Sequence, residues 1–223
     1  MLILCFIIVA AVPYLLCGIN TAIIVTKIKS GEDIRTMGSG NAGLTNTLRT
    51  QGKMAALFVL LGDVIKGVIS VLLVRLAFKY IGGIDTSVIS NGMNYIGFIA
   101  GVFAVLGHSF PLYYKFRGGK GVLVTAAVLL TVDWLSAIIL IGIFAVIVMI
   151  TKYVSLGSII AGSLYPFLVL ILGKLRGDPT VVLNFIFGLA IAFLLIFMHR
   201  ENIKRLKNKT EKKLGEKTNN KLT

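Results

Sequence analysis

Long, uninterrupted apolar stretches are the feature of this sequence that most limits its fold. They lie near residues 2–26, 54–78, 94–112, 121–150, 153–173 and 179–198. Most are about as long as the ~20 residues that a helix needs to cross ~30 Å of hydrocarbon. The strands of a membrane barrel would alternate apolar and polar residues, and these stretches do not. The pattern predicts an all-α polytopic membrane protein.

Composition agrees with a membrane protein and excludes several other classes. Of the 223 residues, 57% are hydrophobic and 14% are charged, whereas about a quarter of a soluble domain is charged. The two cysteines, Cys5 and Cys17, are too few for a disulfide framework. The net charge of +14 indicates contact with anionic membrane lipids. We expect no nucleic-acid partner.

The stretch 121–150 decides the number of membrane crossings, because it is long for one helix and short for two. If two short helices meet near Asp133, the chain crosses seven times, with 18 Lys and Arg on one side and 4 on the other. A single helix would instead place the basic C-terminal tail opposite the basic segment 27–53. Lys and Arg concentrate in cytoplasmic loops. We therefore predict seven transmembrane helices, some of them short, with the N-terminus outside and the C-terminus in the cytoplasm.

Three polar segments fall on the predicted cytoplasmic side, and the first is rich in Gly, Asn and hydroxyl side chains. Glycine allows the backbone N–H groups to approach a ligand, and hydroxyls, amides and Arg can complete a phosphate cradle. A polar turn between two helices is the alternative interpretation. The candidate ligand groups of this segment are Gly38, Ser39, Gly40, Asn41, Thr45, Asn46 and Arg49.

The second polar segment contains Gly118-Gly119-Lys120-Gly121 immediately before an apolar helix. Exposed N–H groups, a helix N-terminus and a Lys charge are an anion site in outline. The segment is not a Walker A loop, because that pattern requires Ser or Thr where Gly121 stands. We expect Lys115 and Arg117 to contact lipid headgroups.

The third polar segment follows the last apolar stretch, where His199 and Asn202 share one face of a predicted helix. Ionisable residues also occur inside the spans. Asp63 and Lys66 form either a structural ion pair or part of a functional site. His108 is either a proton carrier or a side chain that anchors its helix.

This inventory limits the chemistry to anion recognition. The sequence has no His/Cys cluster for a metal and no dinucleotide fingerprint, so we expect neither a cofactor nor a bound metal. Cationic and neutral hydrogen-bond donors outnumber carboxylates on one membrane side. Such a site would stabilise negative charge rather than abstract protons strongly.

Taken in order, these segments resemble those of the bacterial acyl-phosphate-dependent glycerol-3-phosphate acyltransferase family. The resemblance extends over about residues 15 to 206. It is carried by Gly38-Ser39-Gly40-Asn41 with Gly43, Thr45-Asn46 and Arg49, Asp63 with Lys66-Gly67, Gly107-His108 with Pro111, Lys115-Phe116 with Gly118 to Gly121, Tyr153 to Ser158, and His199 to Ile203 with Arg205-Leu206. Leu44, Leu123 and Val124 depart from the family pattern, in which Ala is usual.

The resemblance implies seven transmembrane helices, an external N-terminus and an active site that faces the cytoplasm. It implies acyl transfer from acyl phosphate to the sn-1 hydroxyl of glycerol 3-phosphate, in a bacterial inner membrane. The implied catalytic residues are Ser39, Arg49, Lys120, His199 and Asn202. The implied phosphate- or substrate-binding residues are Gly38, Gly40, Asn41, Thr45, Asn46, Gly118, Gly119 and Ser158.

Two further expectations concern organisation and the competing function. We expect residues 1–206 to form the transmembrane acyltransferase domain and 207–223 to be a basic, disordered cytoplasmic tail. A monomer is compatible with these features. An organic-anion transporter is the alternative function, but it would need polar groups near the bilayer midplane in two repeated halves. The sequence has no such repeat.

Overall fold

The computed structural model describes residues 1–86 and 94–216, and within them the chain forms ten α-helices and no strand. The helices are α1 (Leu2–Gly18), α2 (Thr21–Ser30), α3 (Leu44–Gln51), α4 (Lys53–Tyr80), α5 (Tyr95–Ser109), α6 (Val122–Val132), α7 (Trp134–Thr151), α8 (Val154–Leu175), α9 (Val181–Met198) and α10 (Arg200–Lys207). The prediction of an all-α protein is confirmed.

Six apolar segments in the described residues are long enough to cross a membrane. They are Leu2–Ser30, Lys53–Tyr80, Tyr95–Tyr114, Trp134–Thr151, Val154–Leu175 and Val181–Met198. Large apolar side chains such as Phe58, Trp134 and Phe193 are exposed on them, as expected for helices whose outer surface faces lipid.

The predicted helix break at Asp133 is present, but it divides the stretch unequally. Helix α6 has 11 residues and α7 has 18, so they extend about 16 and 27 Å. Asp133 caps α7, because its Oδ1 accepts a hydrogen bond from Ser136 N and its Oδ2 accepts one from Ser136 Oγ. Arg176 Nη2 at the end of α8 lies 2.9 Å from Asp133 Oδ1. Two short helices were expected, but only α6 is short, since α7 alone is long enough to span.

A second break, between α1 and α2, explains the buried charges of α4. Where the helix is interrupted, the carbonyl of Ile19 accepts a hydrogen bond from Lys66 Nζ at 2.8 Å. Lys66 Nζ also lies 2.8 Å from Asp63 Oδ1 and 3.1 Å from His108 Nδ1. Because the group joins α4, α5 and the α1–α2 break, the structure favours the structural interpretation of Asp63 and Lys66 and the anchoring role of His108.

The three polar segments meet at one end of the bundle. Arg35 Nη1 donates to the carbonyls of Tyr114 at 2.8 Å and Arg117 at 3.2 Å, which joins the first two segments. Leu214 N donates to Lys152 O at 2.7 Å, which brings the C-terminal segment to the same end. We call this end, formed by 31–43, 110–121 and 199–216, the basic face.

Candidate active site

The glycine-rich segment of the basic face is held in shape by Asn46, at the start of α3. Asn46 Oδ1 accepts from Ser39 N at 2.9 Å, and its Nδ2 donates to the carbonyls of Ile34 and Met37. Gly38 and Gly40 both have positive φ angles, of 57° and 70°, which favour glycine. A Cβ atom on Gly38 would also collide with Asn46 Oδ1. Every polar side-chain atom of Asn46 is therefore engaged within the protein, and Asn46 positions the loop.

Four other side chains of the same segment are free to bind a ligand. Ser39 Oγ, the Asn41 amide, Thr45 Oγ1 and the Arg49 guanidinium line a cavity at the basic face. Among the described residues, none of these four side chains donates to or accepts from another group. Hydroxyl, amide and guanidinium donors that converge without internal partners are suited to phosphate oxygens.

In the second predicted segment, the backbone N–H groups that were expected to bind phosphate instead form hydrogen bonds within the protein and close a loop. Gly118 N donates to Ser109 O and Gly119 N donates to His108 O, each at 3.1 Å. Neither glycine lines the cavity. The expectation that Gly118 and Gly119 hold phosphate through their N–H groups is therefore not met. A Cβ on Gly119 would collide with His108 Nε2 and come within 2.5 Å of Ala42 O, so these glycines allow close packing of two loops.

Lys120 follows this packed turn and reaches into the cavity. Its Nζ donates to Asn202 Oδ1. Burial lowers the pKa of Lys120 to about 8; Glu211 opposes the shift, whereas the nearby Arg205 and Arg49 cations add to it. A buried cation near other cations is stabilised when an anion binds beside it.

His199 and Asn202 come together at the α9–α10 junction, as their spacing predicted. Both are buried and line the cavity. His199 Nδ1 lies 2.8 Å from the Leu195 carbonyl, so Nδ1 carries the proton and Nε2 is left as an acceptor. Burial and the Lys120 charge lower the pKa of His199 to about 4. The ring is therefore neutral near pH 7.

Ser158 lies one turn into α8 and also lines the cavity. Its hydroxyl donates to the carbonyl of Val154 at 2.9 Å. The Ser158 oxygen therefore remains available as an acceptor, which suits a substrate hydroxyl better than a phosphate oxygen.

Glu211 is a site residue that the sequence interpretation missed. Its Oε1 accepts from Ser155 Oγ at 2.7 Å and Asn202 Nδ2 at 2.6 Å, and its Oε2 accepts from Arg205 Nε at 2.7 Å. Burial alone would raise the pKa of Glu211, but the hydrogen bonds from Ser155, Arg205 and Asn202 and the Arg205 charge hold it below the usual value. The sequence feature that could have indicated this role of Glu211 is a carboxylate that follows Arg205 by six residues in a lysine-rich segment.

The contacts of Glu211 change the picture of the C-terminal tail. Lys213 Nζ lies over the Tyr153 ring, and Leu214 is hydrogen-bonded to the Lys152 carbonyl. Residues 208–216 therefore pack on the basic face, which differs from the expected disordered tail. The rest of the predicted tail, 217–223, lies outside the described residues.

The cavity itself has a volume of about 640 Å³ and two unlike parts. Its outer part carries the cations Arg49, Lys120, Arg205 and Lys212 and the carboxylate Glu211, and the buried Asp63 also lines the cavity. Its inner part continues between α6, α7 and α8 along apolar side chains. The inner part is lined by Val122, Leu123, Ala126, Ala127, Leu129, Leu130, Ala137, Leu140, Ile141, Phe144, Ala161 and Leu195. A ligand with an anionic head and a long apolar chain matches this division.

The fold defines an integral membrane protein, and its cavity at the basic face combines hydrogen-bond donors and cations with an apolar inner part. The sequence model of the family Glycerol-3-phosphate acyltransferase matches residues 7–209. The chain belongs to this family, and it is an integral membrane acyltransferase of phospholipid synthesis.

Individual relatives match over nearly the whole chain. The Glycerol-3-phosphate acyltransferase of Clostridioides difficile (strain 630) is 42% identical over 212 residues, which cover 95% of this chain and 97% of that protein. The protein of the same name from Thermoanaerobacter sp. (strain X514) is 44% identical over 209 residues, covering 94% of this chain and 96% of that one.

Solved structures of an integral membrane glycerol 3-phosphate acyltransferase, PlsY (YgiH), have a similar fold. Its glycerol 3-phosphate form superimposes with a TM-score of 0.77 at 32% identity, covering 95% of this chain and 96% of that chain. Its lysophosphatidic acid form gives a TM-score of 0.74 at 30% identity, with 95% of each chain covered.

Proposed function

We propose that this chain transfers a fatty acyl group from acyl phosphate to the sn-1 hydroxyl of glycerol 3-phosphate. The observation that carries the proposal is the two-part cavity, in which free anion-binding donors lie directly above an apolar pocket within the membrane span. Acyl phosphate has both parts in one molecule. The relatives described as binding glycerol 3-phosphate and lysophosphatidic acid support the acceptor and the product.

The reaction needs no covalent enzyme intermediate, because phosphate is a good leaving group. The acceptor oxygen forms an ester bond with the acyl carbon, the bond between that carbon and the phosphate oxygen breaks, and the proton goes to a phosphate oxygen. The protein must hold two phosphates close together, align the hydroxyl with the carbonyl and stabilise the oxyanion.

The free donors at the basic face would hold the two phosphates close together. Ser39, Asn41 and Thr45 would contact a phosphate, while Arg49 and Lys120 offset the repulsion between the two phosphates. Gly38, Gly40 and Asn46 would contribute by shaping the loop that carries these donors.

His199 and Asn202 would orient glycerol 3-phosphate. His199 Nε2 can accept a hydrogen bond from a substrate hydroxyl, and Ser158 Oγ offers a second acceptor. With a pKa of about 4, His199 is a weak base near neutral pH, so a substrate phosphate oxygen is the better proton acceptor. Glu211 keeps Asn202 and Arg205 in place.

The proposal includes a location and a topology. With α6 as a short seventh crossing, the basic face lies in the cytoplasm and the N-terminus outside, in a bacterial inner membrane. Exposed cations of this face, such as Lys204, would then lie against anionic lipid headgroups.

Purified protein in lipid vesicles, supplied with palmitoyl phosphate and labelled glycerol 3-phosphate, tests the function through the formation of lysophosphatidic acid. Lys120→Ala and Arg49→Ala should each lower kcat/KM at least about tenfold, or ~1.4 kcal/mol. Lys204→Ala, a matched change outside the cavity, should leave it unchanged. Turnover with acyl-CoA but not with acyl phosphate would overturn the donor assignment, and activity of both site variants within about twofold of the parent would overturn the site.

A further inference from the structure

The last described segment, residues 208–216, runs from α10 to the junction of α7 and α8, and we call it the C-terminal strap. Near its start, Thr210 N donates to Arg205 O at 2.8 Å. Near its end, Leu214 N donates to Lys152 O at 2.7 Å. Both backbone bonds join the strap to elements that border the cavity, so the strap has a defined path over the basic face.

Glu211 fixes the middle of the strap and brings Lys212 to the cavity. The Glu211 carboxylate accepts hydrogen bonds from side chains of α8 and α10, and the next residue, Lys212, lines the cavity. Lys212 is exposed. In the part of the chain that the structure describes, its ammonium group has no hydrogen bond or ion pair. Lys212 is therefore a cation of the cavity wall that is available to a ligand.

The charge of two bound phosphates exceeds that of the other groups in the cavity. A phosphate with one organic substituent has a charge of about −1.5 to −2 near pH 7, so two of them bring roughly −3 to −4. Among the described residues, three cations line the cavity in addition to Lys212: Arg49, Lys120 and Arg205. Glu211 offsets one of these charges and Asp63 is paired with Lys66, which leaves +2. Lys212 raises this sum to +3 and so reduces the repulsion between the two phosphates.

The polar groups beside Lys212 are largely engaged with one another. Asn202 Oδ1 accepts from Lys120, and Asn202 Nδ2 donates to Glu211. Arg205 Nε donates to the same carboxylate. The Arg205 Nη groups and Lys212 Nζ have no partner among the described residues. They are the donors of this group that remain for a phosphate.

A separate set of free donors belongs to the glycine-rich segment and α3. These side chains are Ser39, Asn41, Thr45 and Arg49. The strap is attached instead to Asn202 and Arg205, close in sequence to His199. Asn202 and His199 are the residues that would orient glycerol 3-phosphate. The donors of the strap therefore suit the phosphate of glycerol 3-phosphate, and the other set suits the phosphate of the acyl donor.

We propose that Lys212 binds the phosphate of glycerol 3-phosphate and that the C-terminal strap is part of the substrate site. The ligand in this proposal is taken from the proposed function, which the proposal deepens. The family match ends at residue 209, so Lys212 lies outside the residues that the match describes. Because Lys212 is exposed, solvent and salt screen its attraction for phosphate more strongly than that of the buried Lys120.

The test compares Lys212→Ala with the parent through the KM for glycerol 3-phosphate in vesicles and through its Kd, measured by titration calorimetry in detergent. Lys212→Ala should raise both about fivefold and leave the KM for palmitoyl phosphate within about twofold. Lys212→Arg should restore most of the affinity, because it retains the charge. The difference between the parent and Lys212→Ala should narrow as NaCl rises from about 0.05 to about 0.5 M.

Lys207→Ala is the matched control. Lys207 is also an exposed lysine, at the end of α10, but it does not line the cavity, so its KM and Kd should equal those of the parent. Equal values for Lys212→Ala and the parent would overturn the role of Lys212. A rise confined to the KM for palmitoyl phosphate would overturn the assignment to glycerol 3-phosphate.

The calorimetric measurement separates this proposal from the proposed function. Failure to form lysophosphatidic acid from any acyl phosphate would overturn the proposed donor, whereas the Kd values would still decide the role of Lys212. A parent protein that does not bind glycerol 3-phosphate would overturn both.

Discussion

The lowered pKa of Lys120 predicts how activity should depend on pH. A cation with a pKa of about 8 loses its proton as the pH rises through that value. Its attraction for phosphate is therefore present below about pH 8 and lost above it. Since kcat/KM reports the ionisation of the free enzyme, its value for glycerol 3-phosphate should fall on the alkaline side.

The size of the fall follows from the same pKa. One pH unit above it, roughly one Lys120 side chain in eleven is still charged, so kcat/KM should decrease about tenfold, equivalent to ~1.4 kcal/mol. An ordinary lysine with a pKa near 10.4 would lose only a few per cent of its charge at the same pH. Glycerol 3-phosphate does not contribute to this limb, because the second pKa of a phosphate monoester is about 6.

The measurement is the initial rate of lysophosphatidic acid formation between about pH 6.5 and 9.5, with both substrates limiting so that the free enzyme is the species that titrates. Lys120→Arg is the control, because guanidinium stays protonated over this range. The variant should lack the alkaline limb even if its overall activity is lower. A parent profile that stays level, or a limb that persists in Lys120→Arg, would refute the assignment.

Three further predictions concern groups that support the site. Glu211→Gln should lower kcat/KM about tenfold. It should also move the alkaline limb to lower pH, because the Glu211 charge raises the pKa of Lys120. Glu216→Gln should have neither effect, and equal pH profiles for the two variants would contradict this role of Glu211. Asn46→Ala should raise the KM for substrate about tenfold through loss of the loop's hydrogen bonds, and an unchanged KM would show that the loop holds its shape without them. Asp133→Ala should lower the free energy of unfolding in detergent by about 1–2 kcal/mol, whereas Glu201→Gln at an exposed ion pair should change it little.

The sequence was sufficient for those parts of the fold that depend on apolar length and charge. The continuous apolar stretches predicted helices, and the shared sign of three loops predicted that they lie at one end. Asp133 was recognised as a break because a charged residue interrupts an apolar run. The unequal lengths of α6 and α7 follow from the position of Asp133 within 121–150, whereas the cap that Asp133 forms with Ser136 and its ion pair with Arg176 depend on the tertiary fold.

Individual roles in the site were harder to predict, because residue type does not reveal which groups are already engaged. Asn41 and Asn46 are the same residue five positions apart, yet the amide of Asn41 is free and that of Asn46 holds the loop. The engaged N–H of Gly118 and the site role of Glu211 were not predicted for a similar reason. Their partners, Ser109 O and the Ser155 hydroxyl, are brought to them only by the tertiary fold.

The short helix α6 connects the topology to the chemistry. Lys120 lies just before an 11-residue helix, whereas Lys152 ends an 18-residue helix that starts from the same turn. Measured from Asp133, Lys120 is therefore about 10 Å closer than Lys152 to the inner end of the pocket. If α6 were as long as α7, Lys120 would lie at the level of Lys152. A phosphate that bound Lys120 there would draw the attached acyl chain towards water. The early end of α6 at Asp133 thus accounts for the burial that lowers the pKa of Lys120. Under the proposed function, it would also let an acyl chain stay in an apolar environment while its phosphate meets the cation.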